Sequence, residues 1–158
     1  MIEYVGIGDV KIAHNPEKLA IIGLGSCVCV AMYDESAGMG GVSHVMLPEP
    51  HGESVIEHAE RACKYATVAV PVLMKKMIVK GAKKEHLKAK IAGGASIFRE
   101  LDSLEIGDRN VAKVKEMLRK LDISIVAEDT GGNLGRTVIF DTKSFKLHIK
   151  TKSYTKVI

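Results

Sequence analysis

From Leu19 to Tyr33 the chain carries no charged side chain, reading LAIIGLGSCVCVAMY. A run of this kind belongs in a core, yet it is too short to span a bilayer and is broken by Gly23 and Gly25. It reads as an apolar strand, KLAIIG, ending at a glycine turn, followed by a buried, β-branched and thiol-rich strand from Cys27 to Tyr33. DESAG (Asp34 to Gly38) is a turn cluster, and MGGVSHVML restarts a strand.

The remaining segments are compatible with that start. IEYVGIGDVKIA reads as strand, turn, strand. Ser54 to Glu57 has the capping-box form, and Ile56, Ala59, Cys63, Ala66, Val70, Leu73 and Met77 recur at three- and four-residue steps. A helix is therefore predicted up to Val79, kinked or broken at Pro71 and stopped at Gly81. LKAKIAGGA is a strand running into a Gly93-Gly94 turn. GDRNVAKVKEMLRKLD is a second helix capped by Asp108, with a stripe of Val111, Val114, Leu118 and Leu121. ISIVAED is a strand, and TVIFD with FKLHIK forms a closing hairpin. Hairpins mixed with helical crossovers predict an α+β layered fold, with largely antiparallel sheets and helices on one face. At 158 residues the chain is expected to be one domain, 1–158.

Composition narrows the function. The net charge of +4 is spread over scattered lysines, and aromatics at 4% do not interleave with them, so a nucleic-acid stacking platform is missing. Three cysteines, Cys27, Cys29 and Cys63, form no disulfide framework and suit a reducing compartment. The N-terminus shows no signal-peptide pattern, so a cytoplasmic protein without membrane insertion is expected. A zinc site would recruit Cys27, Cys29, His44 and His51, but C-x-C spacing is shorter than structural zinc sites use, and no carboxylate cluster backs it. No metal is expected.

Cys27 sits behind the glycine turn, and hairpin geometry can bring it a base. A hairpin centre at 35.5 or 36 pairs Cys27 with His44 or Val45, and opposed side chains share a face. A one-residue slip would part them. A thiol beside an imidazole is the minimal nucleophile-base pair, and an imidazolium would pull the thiol down by about two units or more. Gly25 and Ser26 precede Cys27 and could present backbone N–H groups to an oxyanion. Cys29 shares a strand face with Cys27 and, like Cys63 on the first helix stripe, is expected in the core.

The loops with Gly93 and Gly94, and with Gly131 and Gly132, are either tight turns or borders of a cleft admitting an extended substrate. A phosphate cradle is a third reading, but neither loop has the P-loop form, and GLGSCV lacks the third glycine of a dinucleotide fingerprint.

GLGSCV, GGVSHVMLP, KIAGGAS, IGDRN and AEDTGGNLGR, in that order, resemble the chemoreceptor glutamine deamidases of bacterial and archaeal chemotaxis, the CheD family. The resemblance implies a layered α/β/β fold and hydrolysis of selected receptor glutamines to glutamate. It implies Cys27 as nucleophile, His44 as general base and acid, no metal or organic cofactor, and a CheC-type phosphatase as partner. It also implies a threonine that orients the histidine, and that position is Ile21 here. Isoleucine makes no hydrogen bond, so Ser26 or a backbone carbonyl would have to serve. The alternative implied by Ile21 is a catalytically weak or inactive module that binds receptors and the phosphatase.

Overall fold

The structure is a computed structural model that describes residues 1–51, 62–96 and 105–158. Ten strands form two five-stranded sheets. The first sheet runs β1 (Ile2–Tyr4), β3 (Lys18–Leu24), β8 (Arg136–Asp141), β9 (Lys146–Lys150), β10 (Thr155–Val157). The second runs β2 (Val10–His14), β5 (Met39–Val45), β4 (Val28–Asp34), β6 (Lys88–Gly93), β7 (Ser124–Thr130). Pairing is antiparallel except for β1 with β3 and β6 with β7. Helices α1 (Ala66–Val79) and α2 (Ile106–Lys120) cover the second sheet on the side away from the first. The expected α+β fold, with helices on one face, is therefore present as three layers.

The middle layer explains the uncharged run. Every residue of β4 and of β5 is buried. Val28, Val30 and Met32 face the helices, whereas Cys29, Ala31 and Tyr33 face the other sheet. In β5 two adjacent glycines let both neighbouring layers approach. A Cβ on Gly40 would lie 2.5 Å from the Phe140 ring of the first sheet, and one on Gly41 would lie 2.7 Å from Leu73 of α1.

Several expectations are corrected. The helix predicted from Ser54 starts outside the described residues, and α1 proper begins only at Ala66, because Tyr65 is extended and bridges Leu47. The carbonyls of Leu47 and Pro48 accept the N–H groups of Ala66 and Thr67, doing the work of an N-cap. Pro71 lies inside α1 without ending it. The Schellman close at Gly81 is as expected, with Gly81 bonding Ile78 and Ala82 bonding Met77. Asp108 does not cap α2: the cap position is Glu105, in left-handed conformation, and Asp108 sits in the first turn, where the helix dipole favours it. The three-residue edge strand β10 was not expected, since its exposed TKV carries no pattern.

Gly40→Ala should destabilise the protein by about 1–3 kcal/mol, because overpacking here presses on a ring edge. Gly41→Ala should cost less, since the nearest atoms in its way, at 2.7 Å, are the flexible ends of Leu73 and Ile12, with the Lys11 carbonyl further off at 3.1 Å. Urea midpoints of the two variants check the order.

Candidate active site

The site lies where the chain passes from one sheet to the other. β3 belongs to the first sheet and β4 to the second, so the turn between them, Gly25 to Cys27, crosses the layers. A register shift between Ile21 and Leu24 and a positive φ of 74° at Gly23 bend the end of β3. A Cβ on Gly23 would meet nothing, so glycine is needed there for its conformation rather than for space. Cys27 is half-buried and precedes the first paired residue of β4.

The hairpin register differs from the expected one. Asp34 pairs with Met39, leaving a four-residue loop, and the ladder then sets Cys29, not Cys27, opposite His44. Cys27 is therefore two residues further along, diagonal to His44 on the same inter-sheet face; such diagonals are roughly 7–8 Å apart. The two residues do share a face, but not as a direct cross-strand pair.

This offset and the burial reverse the expected electrostatics. Burial pushes the Cys27 thiol up from its ordinary value. Burial likewise holds His44 below 6.5, against a smaller upward pull from the Val5 carbonyl and Asp9. The resting pair at neutral pH is thiol and neutral imidazole, not thiolate and imidazolium. Cys29 is fully buried and pushed up to about 12, as suits a core residue.

His44 is oriented by backbone. Its Nδ1 lies 3.1 Å from the carbonyl oxygen of Val5. A carbonyl only accepts, so Nδ1 carries the proton and Nε2 keeps its lone pair. The Gly6–Asp9 turn holds this arrangement: Gly8 N–H donates to the His44 carbonyl, His44 N–H donates to Asp9, and the Asp9 carboxylate accepts from Gly6 N–H. Ile21 is buried in the inter-sheet core, where its side chain offers no hydrogen bond. Ser43 points toward the helices and takes no part.

The glycine loops divide by function. Gly93 and Gly94 are buried beneath the Cys27 turn, where Gly94 N–H donates to the Cys27 carbonyl and Ala95 N–H to the Gly25 carbonyl. A Cβ on Gly93 would stand 2.3 Å from the Cys27 oxygen, and one on Gly94 2.3 Å from Val111. Both also adopt positive φ, 110° and 68°. These two residues support the Cys27 turn from below and do not border open space. At Gly131 and Gly132 a Cβ would meet nothing within 4 Å. That loop is tied down by Gly131 N–H to Gly93, by Ser96 N–H to Gly132, and by Arg136, which donates to Asp129 and to the Gly131 carbonyl. Among the described residues no three His, Cys, Asp or Glu side chains converge as a metal site would need.

Sequence reasoning missed Asn110. This fully buried residue of α2 donates from its amide to the carbonyls of Ser26 and Met46, at 2.9 Å each, while its Oδ1 has no partner. Two bonds to neutral carbonyls contribute about 1 kcal/mol each, and the unsatisfied buried acceptor costs about 1–3 kcal/mol, so the net contribution of the carboxamide is small even though its loss would leave two carbonyls without this donor. The signal was present: Asn110, Val114 and Leu118 lie four apart, which puts a polar residue on the buried stripe. Gly107, one turn earlier, lets α2 approach the loop, since its Cβ would lie 2.5 Å from the Gly94 oxygen.

A half-buried thiol behind a glycine turn, on one face with an imidazole whose Nε2 is left basic, defines a candidate thiol-dependent hydrolase site. The comparisons give that class a family. Residues 46–151 match the family model described as CheD chemotactic sensory transduction. A Clostridium botulinum (strain Hall) protein named "Probable chemoreceptor glutamine deamidase CheD" is 47% identical over 150 residues, covering 93% of this chain and 91% of its own. The Clostridium novyi protein of the same name is 45% identical over the same shares. The chain belongs to the CheD family. A solved Bacillus licheniformis protein, YfiH, is 16% identical with a TM-score of 0.44, over 82% of this chain and 59% of that one; so distant a likeness has no bearing on the chemistry.

The low position of His44 has a thermodynamic consequence. Below pH 6.5 the unfolded chain binds a proton at this histidine before the folded one does, so folding stability falls as the pH drops through that window. His44→Gln should flatten the decline in urea midpoint below pH 6.5. An unchanged slope would place the acid sensitivity elsewhere.

Proposed function

We propose that this protein hydrolyses the side-chain amides of selected glutamines in methyl-accepting chemoreceptors to glutamate, acting in the cytoplasm on the receptors' signalling regions. Membership of the CheD family and the names of its relatives support the substrate class. The observation that carries the chemistry is the Val5 carbonyl on His44 Nδ1, which leaves Nε2 free on the face that Cys27 shares.

With both groups neutral at rest, the reaction begins with proton transfer. Nε2 takes the Cys27 proton as Sγ attacks the carboxamide carbon, and the carbonyl oxygen becomes an oxyanion. Backbone N–H groups near Gly25 to Cys27 receive that charge. The imidazolium gives its proton to the departing nitrogen, which leaves as ammonia, and a thioester remains on Cys27. Nε2 then deprotonates water, the hydroxide attacks the thioester, and Cys27 regains its proton as glutamate is released. Val5 replaces with a backbone acceptor what Ile21 cannot supply. None of the described helices is long and apolar enough to cross a membrane.

A CheC-type phosphatase is proposed as the regulatory partner. The rival reading, a receptor- and phosphatase-binding module with little turnover, draws on Ile21 and on the raised thiol.

Peptide mass spectrometry of a receptor cytoplasmic fragment separates these readings. The protein should convert specific glutamines to glutamate, Cys27→Ala should convert none, and His44→Gln should be slowed by about 10²–10⁴-fold. Receptor binding without conversion by the unaltered protein would establish the binding module instead. Alkylation of Cys27 should still be rising with pH above neutrality; a plateau already reached below pH 7 would refute the neutral resting pair.

A further inference from the structure

The Cys27 N–H is the natural donor for an oxyanion formed at Cys27, and something must aim it. A trans peptide holds its N–H opposite to its C=O. The Ser26 carbonyl is bound to Asn110 on α2, so the N–H of the same peptide unit, that of Cys27, is turned away from α2. No backbone acceptor takes that N–H among the described residues. The next carbonyl, that of Cys27 itself, is held by Gly94. The peptide units on both sides of the Cys27 α-carbon are thus clamped at their oxygens. The second amide proton of Asn110 binds the Met46 carbonyl, two residues beyond His44. One buried carboxamide therefore joins the segment carrying the thiol to the segment carrying the imidazole.

We propose that Asn110 is a positioning residue: by clamping the Ser26 and Met46 carbonyls it aims the Cys27 N–H as the oxyanion donor and fixes the nucleophile turn against the end of β5. Asn110 does not touch substrate, and its effect passes through the backbone. The proposal rests on the deamidase reading above. It assigns a role to a buried polar residue, and it accounts for Gly107, which brings α2 close enough for a short side chain to reach both carbonyls.

The test compares two reactions of the same thiol. Deamidation builds an oxyanion, whereas displacement at the carbon of iodoacetamide builds none. In Asn110→Ala, kcat for receptor deamidation should fall about 10²-fold, as for loss of an oxyanion donor, with KM nearly unchanged. The rate of Cys27 alkylation should stay within about threefold of the unaltered protein, because an intact thiol environment is all it needs. Asn110→Ser retains one hydroxyl donor and should show an intermediate kcat; it carries the test if the alanine variant fails to fold. Unchanged kcat would overturn the proposal. So would kcat and alkylation falling together, which is the mark of a general loosening. If the unaltered protein deamidates nothing, the deamidase reading fails and the proposal falls with it. No result on an Asn110 variant can imitate that outcome.

Discussion

The site depends on β4 and β5 being covered on both faces. A strand between two apolar layers cannot shift by one residue without exchanging the side chains that each layer receives. In β4 this sends Val28, Val30 and Met32 to the helices, and Cys29, Ala31 and Tyr33 to the opposite sheet. The same parity puts Cys27 and His44 on the inter-sheet side and Ser43 on the other. Gly40 and Gly41 set how near the outer layers come, through Phe140 and Leu73. Core packing and site geometry are therefore one constraint, and a substitution that disturbs the first disturbs the second.

On that rigid pair the functional groups are held mainly by backbone. His44 is aimed by the Val5 carbonyl, the Cys27 turn is held by Gly94 and Ala95, and the start of α1 is capped by the Leu47 and Pro48 carbonyls that follow β5. Asn110 adds a side chain to this framework, and it too binds carbonyls. The proton on Nδ1 needs an acceptor, and the Val5 carbonyl supplies one where isoleucine at position 21 cannot. Burial favours the neutral thiol and the neutral imidazole, so in the proposed reaction proton transfer would be part of the attack and not a condition of the resting state.

The errors of the sequence reading share a cause. The hairpin was centred one half to one residue too early, because the loop from Glu35 to Gly38 is closed by pairing of Asp34 with Met39, with the Asp34 carboxylate accepting from Ala37 N–H. Nothing in DESAG distinguishes that four-residue loop from a shorter one. The early start assigned to the first helix followed a periodicity that runs on through Cys63, whereas Tyr65 is pulled out to bridge Leu47. Asp108 looked like a cap because its residue type favours caps, but Glu105 turns the chain into α2 three residues earlier. Asn110 was overlooked because attention to the stripe favoured its apolar members.

The sequence by itself determined the layered α+β class, most of the strands, the close of the first helix at Gly81, the placing of Cys27 and His44 on neighbouring segments of one hairpin, and the family. These follow from local patterns: alternation, helical spacing, glycine at turns, and motifs in fixed order. Tertiary structure decided which cysteine faces His44 directly, that Val5 orients the ring, that Gly93 and Gly94 support Cys27 from beneath, and that Asn110 spans two distant segments. Each of these is a contact between residues far apart in the chain, most of them with at least one backbone partner. A backbone carbonyl or N–H is the same at every position, so no residue type announces where it will be used.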